Sequence, residues 1–387
     1  MKQKIAILGS TGSIGKSLLK IIKKKKNYYE IILLTGNKNF KQLLIQTRQF
    51  KVKNVIITNK DSYKKFCKLN KNKKIKVYYN FDHLNKIFKN KIDYTMSSII
   101  GLDGLKPTLD IIKYTKTIAI ANKESIICGW NLISKNLKKF KTNFVPVDSE
   151  HFSIWYGLKD TNVKKIEKIY LTASGGPLLK IPNSQFNKLK IKEVLKHPNW
   201  KMGKKISVDS STMINKVFEI IEARNIFDIE LNKLSILIHP KSYIHAILKY
   251  KDGMISIIAH ETTMEIPIFN SLNNKQNLKL KSKNINLDKL NNLNFQFIDT
   301  KKFPLIKILK KIPSKLSLFE TVLVSANDAL VKLYLGKKIK YLDINKKLNK
   351  FLDLKEFGNL KKKQAKNISE ILELDKYVRL KINLKGV

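Results

Sequence analysis

Five residues in two short segments have the types and spacing to hold a cation beside a phosphate. Val147-Asp148-Ser149-Glu150-His151 closes an apolar run, 143–147, that reads as a strand. Strand ends are where α/β proteins place their sites. Asp148 and Glu150 stand two apart, so they share a face if extended geometry persists. Further along comes Ser207-Val208-Asp209-Ser210-Ser211-Thr212-Met213-Ile214-Asn215-Lys216-Val217-Phe218-Glu219. Residues 210–226 read as a helix. Asn215, Lys216 and Glu219 then lie within one turn, because spacings of three and four bring side chains together. Two carboxylates and a third from a distant segment suit Mg²⁺ or Mn²⁺, which take hard oxygen ligands. Carboxylates alone are ordinary surface groups. The Ser, Asn and Lys around them favour a site, since those groups donate to phosphate oxygens.

Two further segments carry polar groups at turns. Ala173-Ser174-Gly175-Gly176-Pro177 follows a strand, and its backbone amides with Ser174 could hold an anion. It also reads as a plain structural turn. His197-Pro198-Asn199-Trp200-Lys201-Met202-Gly203 has little periodicity. A Trp beside a His in such a loop reads as a lid over a ligand, or else as a Trp packed in a core. Cys128 and His83 have no partners in sequence and read as core or surface residues.

The positioning elements begin at the N-terminus. Residues 4–8 read as a buried strand, followed by Gly9-Ser10-Thr11-Gly12-Ser13-Ile14-Gly15 and a helix over 16–25. Glycines between strand and helix let backbone N–H groups approach a pyrophosphate at the helix N-terminus. An NAD enzyme ends its second strand with Asp or Glu for the ribose 2′-OH. Here residues 29–35 run into Gly36-Asn37-Lys38-Asn39, without an acid, and Lys38 can pair with a 2′-phosphate. NADPH is the expected cofactor. Strands over 54–58, 74–79, 94–100, 117–121 and 143–147 alternate with helices over 40–49 and 105–114, which predicts a doubly wound parallel sheet. The texture then changes. Strands over 168–173, 234–239, 246–250 and 254–260 predict an α+β second domain. Residues 274–300 are rich in Asn and Lys and read as a connection. Helical periodicity returns from 303 and is strongest over 318–335. The expected domains are 1–147 for NADPH, 148–273 for catalysis, a linker over 274–300, and a C-terminal helical domain over 301–387.

Composition bounds the partners. Lys and Arg number 77 against 30 Asp and Glu, a net charge of +47. Only Arg48, Arg224 and Arg379 are arginines, whereas nucleic-acid readers favour Arg for bidentate contacts. The Lys, Ile and Asn excess runs along the whole chain and reads as compositional drift, so no nucleic-acid partner is expected. Cys67 and Cys128 form no CxxC or zinc spacing, which fits a reduced, cytoplasmic setting. The first residues run straight into strand and turn, unlike a signal peptide. No apolar run approaches the roughly 20 residues of a membrane span.

Together these segments resemble the deoxyxylulose-phosphate reductoisomerase family over nearly the whole chain. The markers are ILGSTGSIG at 7–15, GLDGLKPTL at 101–109, ANKES at 121–125, PVDSEH at 146–151, ASGGP at 173–177, HPNWKMGKKISVDSSTMINK at 197–216, IEAR at 221–224 and LIHPKSYIH at 237–245. The resemblance implies a Rossmann-like NADPH domain, a central catalytic domain, a small C-terminal helical bundle and a V-shaped homodimer. It implies conversion of 1-deoxy-D-xylulose 5-phosphate to 2-C-methyl-D-erythritol 4-phosphate in the non-mevalonate isoprenoid route. It also implies roles. Thr11, Gly12, Ser13 and Ile14 line the cofactor phosphates, and Asn37, Lys38 and Asn39 lie toward its adenosine end. Asn122, Glu124 and Gly203 meet the nucleotide. Asp148, Glu150 and Glu219 match the metal ligands. Lys123, Ser149 and Lys216 surround the substrate backbone. Ser174, His197, Ser210 and Asn215 match the phosphate grip, and Trp200 and Met202 belong to the mobile loop.

The chain departs from the family pattern in places. Asn37 stands where the family has Gly, and Asn is the next-best residue for a left-handed turn. Val217 and Ala173 also replace glycines. Thr262-Thr263-Met264-Glu265 replaces Pro-Asp-Met-Arg, in a stretch that supports lid and domain joint. Two rival readings remain: another two-domain NADP-dependent dehydrogenase, of semialdehyde or homoserine type, and a non-catalytic binding protein.

Overall fold

A computed structural model describes residues 1–200, 202–273, 278–281 and 284–385, in two compact units. The first unit comprises Met1–Ser125, Leu132–Asp148 and Met264–Lys281. Its centre is a parallel sheet of β1 (Gln3–Leu8), β2 (Tyr29–Gly36), β3 (Asn54–Ile57), β4 (Lys76–Tyr78), β5 (Ile92–Ser97), β6 (Thr115–Ile120) and β7 (Asn143–Pro146). The strand order is β4-β3-β2-β1-β5-β6-β7, parallel throughout. Parallel strands are covered on both faces, so they read as continuous apolar runs. Accordingly Ile5, Ala6, Ile7 and Leu8 are all inaccessible to solvent. The order reverses between β1 and β5, and that switch point is where such sheets bind ligands.

Helix α1 (Ser13–Lys24) presents Leu18, Leu19, Ile21 and Ile22 to this core and leaves its lysines outside. Helix α2 (Lys123–Lys139) opens after β6, capped by Asn122, whose side chain accepts from Ser125 N–H. A helix unread in the sequence, Glu265–Leu272, also belongs to this unit. Its Ile268, Phe269 and Leu272 join the core cluster, and Tyr94 Oη meets Ser271 Oγ at 2.8 Å.

The second unit comprises Ile126–Asn131, Ser149–Thr263 and Ser282–Val387. Its mixed sheet has β8 (Ile166–Ala173), β9 (Leu234–Ile238), β10 (Ile244–Tyr250), β11 (Ile255–Ala259) and β12 (Gln296–Phe297), ordered β11-β10-β8-β9-β12. Only β8 and β9 run parallel. The site helices are α3 (Ser149–Gly157), α4 (Lys204–Ser211) and α5 (Ile214–Phe227). The expected single helix over 210–226 is broken. Ser211 and Thr212 turn their hydroxyls back onto the Val208 and Asp209 carbonyls, at 2.7–3.2 Å, and Met213 is left-handed at φ 63°. Such back-bonding competes with the helical ladder.

The C-terminal bundle lies in the same unit. Helix α6 (Phe319–Leu335) is buried nearly all round and packs against α7 (Tyr341–Leu352) and α8 (Ile368–Lys385). A buried ion pair ties it to α5: Arg224 donates to Glu320 at 2.6 Å. The expected connection over 274–300 holds a short helix, Leu287–Asn291, and β12. Residues 274–277 and 282–283 lie outside the described residues.

Candidate functional site

The glycine turn of the first unit is built for close approach. Gly9 is left-handed at φ 84°, and a Cβ there would stand 2.8 Å from Ser98 O. A Cβ on Gly15 would stand 2.5 Å from Ser10 Cα, so only glycine lets α1 pack onto the turn. Gly12 caps α1 and its carbonyl accepts from Lys16 N–H. Thr11 and Ser13 stay accessible, while Ile14 packs against the core, which leaves its main chain for a ligand. The turn therefore directs backbone donors and a helix N-terminus to one place.

At the end of β2 one expectation needs correction. The described non-glycine residues with positive φ are Lys51, Lys141, Met213, Asp228, Ser242 and Lys337. Asn37 is not among them. Its amide donates instead to Thr58 Oγ1 at 2.7 Å, which fixes the turn without a left-handed residue. Lys38 is exposed, and Asn39 caps the next helix by accepting from Gln42 N–H at 3.2 Å.

Beyond β6, the Asn122 side chain is engaged by protein on every side. It accepts from Ser125 N–H at 2.7 Å and donates to Ile99 O and Gly101 O. Lys123 and Glu124 follow, both buried. The Lys123 ammonium donates to Asp148 Oδ2 at 3.3 Å, within the same unit.

The extended spacing expected of Asp148 and Glu150 does not hold. The strand ends at Pro146 and helix begins at Ser149. Asp148 thus ends a segment of the first unit, and Glu150 sits in the first turn of α3. In the second unit Glu150 and Glu219 converge on one cation, the Lys216 ammonium. Lys216 Nζ lies 3.0 Å from Glu150 Oε1, pairs with Glu219, and donates to Thr172 O at 2.6 Å. Asn215 Nδ2 donates to the other oxygen of Glu219, and Ser149 Oγ to Glu150 Oε2 at 2.5 Å. Lys216 and Glu219 are buried, and buried acids of this kind require positive charge between them. All the donors here are hard oxygens. They fit Mg²⁺ or Mn²⁺ and offer nothing to a softer ion.

Beside this cluster the turn after β8 is preset for an anion. Gly175 and Gly176 are left-handed, at φ 82° and 68°, and a Cβ on Gly176 would meet Ser210 O at 2.7 Å. His197 Nδ1 accepts backbone N–H groups from Asn199 at 3.2 Å and Trp200 at 3.0 Å. That assigns the ring hydrogen to Nε2, which donates to Ser174 Oγ at 3.0 Å. Ser174 Oγ also accepts from Gly176 N–H at 3.1 Å. With both lone pairs taken, its own hydrogen is directed outward, toward an acceptor. Burial first, and then the Lys216 charge, push the His197 pKa down to about 4. Ser210 lies at the foot of this turn, and Gly203 opens α4. Lys201 of the loop lies outside the described residues.

Sequence reading passed over His151, although it stood in a quoted segment. It is buried, and its Nε2 donates to the Glu219 carbonyl at 2.8 Å. This bond joins α3 to α5, the two helices that carry the acids. Glu222, one turn beyond Glu219, lies 3.9 Å from His151 Nδ1. The signal was its spacing of three from Glu219.

Comparisons with known proteins identify the family. A family model described as 1-deoxy-D-xylulose 5-phosphate reductoisomerase matches residues 5–129, and its C-terminal-domain models match 144–227 and 260–381. The chain is 58% identical over 387 residues to the 1-deoxy-D-xylulose 5-phosphate reductoisomerase of Pelagibacter ubique (strain HTCC1062), spanning 100% of both. It is 35% identical to that of Clostridium tetani (strain Massachusetts / E88), over 98% of this chain and 99% of the relative. Among solved structures, the Zymomonas mobilis enzyme in complex with NADPH superposes with TM-score 0.87 at 30% identity, covering 98% of each chain. A DOX-P reductoisomerase in complex with NADPH, fosmidomycin and magnesium superposes with TM-score 0.89 at 31% identity, covering 99% of this chain and 98% of that one. Glycine turn, acid pair and anion turn all lie within the matched residues, and the chain belongs to the 1-deoxy-D-xylulose 5-phosphate reductoisomerase family.

Proposed function

We propose that this protein rearranges and reduces 1-deoxy-D-xylulose 5-phosphate to 2-C-methyl-D-erythritol 4-phosphate, using NADPH and Mg²⁺ or Mn²⁺. The observation that carries the reading is the pair Glu150 and Glu219 closing on one ammonium, in the unit that holds the Ser174–His197 turn. One feature holds a hard cation and the other a phosphate, as a metal-chelated sugar phosphate requires. Family membership over the full chain supplies the reaction.

In this reading Asp148, Glu150 and Glu219 hold the metal. Bound there, the metal supplies Lewis-acid polarisation of the substrate carbonyl, and NADPH supplies the hydride. The protein's own groups do the remainder. Ser174, His197, Ser210 and Asn215 grip the phosphate, and that remote binding energy helps close the loop bearing Trp200 and Met202. Lys123, Ser149 and Lys216 orient the substrate hydroxyls. Lys216 gives up its place between the acids and turns its donors to the ligand. Thr11, Gly12, Ser13 and Ile14 receive the cofactor phosphates, with Asn37, Lys38 and Asn39 toward the adenosine and Asn122, Glu124 and Gly203 along the nucleotide.

Residues 1–147 serve NADPH. Residues 148–273 carry catalysis, apart from the helix Glu265–Leu272 that packs in the first unit. Residues 274–300 connect to the helical domain, 301–387. A homodimer in the cytoplasm completes the proposal. The family resemblance supports the dimer, and Cys67 and Cys128, which form no disulfide, suit a reducing compartment. Among the described residues no helix is long and apolar enough to cross a membrane.

The test is NADPH oxidation with deoxyxylulose phosphate, with and without Mn²⁺. Metal-dependent oxidation is expected. Turnover that ignores metal would favour a semialdehyde- or homoserine-type dehydrogenase, and folded protein with no turnover would favour a binding protein. Glu219→Gln should lose more than about 100-fold in turnover, since even residues behind a metal ligand cost about 10- to 100-fold.

A further inference from the structure

The indole of Trp200 sits at one end of a chain of four rings. It meets His245 edge to face, with centroids 6.4 Å apart and planes at 66°. His245 lies flat on His260, at 3.8 Å and 18°. His260 meets Phe152 at 6.4 Å and 64°. Phe152 is on α3, two residues after Glu150. The stack therefore runs from the loop to a helix that carries an acid, entirely within the second unit.

Local structure explains why the two imidazoles meet. Between β10 and β11, Ile244 pairs with Ala259 but Ala246 pairs with Ile258, so His245 is a bulged extra residue. A bulge turns its side chain out of the regular alternation. His245 Nε2 donates to the His260 carbonyl at 3.2 Å. His260 Nδ1 donates to Glu261 O at 2.8 Å, and its main-chain N–H to Tyr243 O at 3.1 Å. The buried Nε2 of His260 has no hydrogen-bond partner among the described residues. The His260 ring thus sits deep in the stack, fixed at one nitrogen, with its face given to His245.

We infer that His260 is a positioning residue, whose ring holds His245 and, through it, the indole of Trp200. The loop over the substrate is thereby docked on the β10–β11 bulge. This rests on reading that loop as the lid of the reductoisomerase site. His260 itself touches no reacting atom. Its role is to hold the Trp200 indole in place before substrate binds, so that substrate does not bear the whole cost of ordering it.

The test combines fluorescence and kinetics on the full chain. Trp200 emission is isolated by subtracting a Trp200→Phe background, and its quenching by acrylamide is measured without substrate. In His260→Ala, Trp200 emission should shift to the red and quench more readily. KM for deoxyxylulose phosphate should rise about 2- to 10-fold, the scale of one lost ring pair, with kcat changed less. His260→Phe keeps a flat ring and should restore both readouts. His260→Asn keeps an amide donor without a ring, should behave like His260→Ala, and serves if the alanine variant folds poorly. Unmoved Trp200 emission in a stably folded His260→Ala or His260→Asn overturns the inference, as does a Phe variant that resembles Ala. The fluorescence result decides the matter even if the protein turns over no deoxyxylulose phosphate.

Discussion

The hydroxyl of Ser174 and the imidazole of His197 form one unit of chemistry. His197 accepts at Nδ1 and donates at Nε2, and that donation orients the serine hydrogen. The arrangement requires a neutral ring. A free histidine titrates near about 6.5, and burial with the Lys216 charge holds His197 down at about 4. Between those values the unfolded chain binds a proton that the folded chain refuses. Stability from this group is therefore complete above about 6.5 and falls as pH falls toward about 4. NMR of the imidazole nitrogens in ligand-free protein should place the His197 midpoint near the lower value, and a midpoint near about 6.5 would remove the argument. Ser174→Ala removes a donor aimed at a charged oxygen. It should raise KM about 10- to 100-fold, the range for a hydrogen bond to a charged group. At this scale the sequence was informative about residue type and silent about use. Asn215 and Glu219 could be paired from helical spacing alone. That Asn122 and Asn39 serve as caps depends on where their helices begin.

At the scale of elements, legibility followed the range of the forces. The strands of the parallel sheet were plain because burial on both faces makes their sequences continuously apolar. The break between α4 and α5 was hidden, because Ser and Thr hydroxyls bonding backward leave no mark on hydrophobic periodicity. The helix Glu265–Leu272 was missed for a different reason. Its partners, Tyr94, Lys20 and Lys24, lie far away in sequence. Glu265 meets Lys24 at 3.1 Å and Lys20 at 3.8 Å, so the acid that departs from the family pattern answers a lysine-rich α1. The link between α5 and α6 is a buried charge pair. Arg224 donates to Glu320 and to Pro313 O, and Ser317 donates to Glu320. Burial raises the Glu320 pKa, and Arg224 opposes that rise. Arg224→Ala would leave a carboxylate buried without its cation and should cost about 3–5 kcal/mol in urea unfolding. Replacing both partners, Arg224→Met with Glu320→Leu, should recover most of that loss, because an apolar pair has no charge to desolvate. A single variant within about 0.5 kcal/mol of the parent would show that the pair is not stabilising.

Over the whole molecule the dominant fact is charge. With 77 basic and 30 acidic side chains, positive charge surrounds positive charge over most of the surface. The ion pairs formed do not alter that balance: Lys106–Asp110, Lys116–Asp93 and Lys249–Glu167 are solvent-screened surface pairs, which add little net stability. Burial holds the fold: among the described residues one core cluster surrounds the parallel sheet, another surrounds the mixed sheet, and the helical bundle buries Val322, Leu330, Ile344 and Ile371. Self-repulsion acts against that burial. It is also the term most sensitive to solvent, since the screening length falls from about 30 Å at about 0.01 M salt to about 8 Å at physiological strength. Adding sodium chloride over that range should raise the thermal midpoint by on the order of a few degrees, unlike a protein of balanced charge. The same screening should weaken capture of the anionic substrate, so KM should rise with salt while kcat holds. A thermal midpoint indifferent to salt would mean that the lysines stand far enough apart, or bind enough anions, to carry no net repulsion.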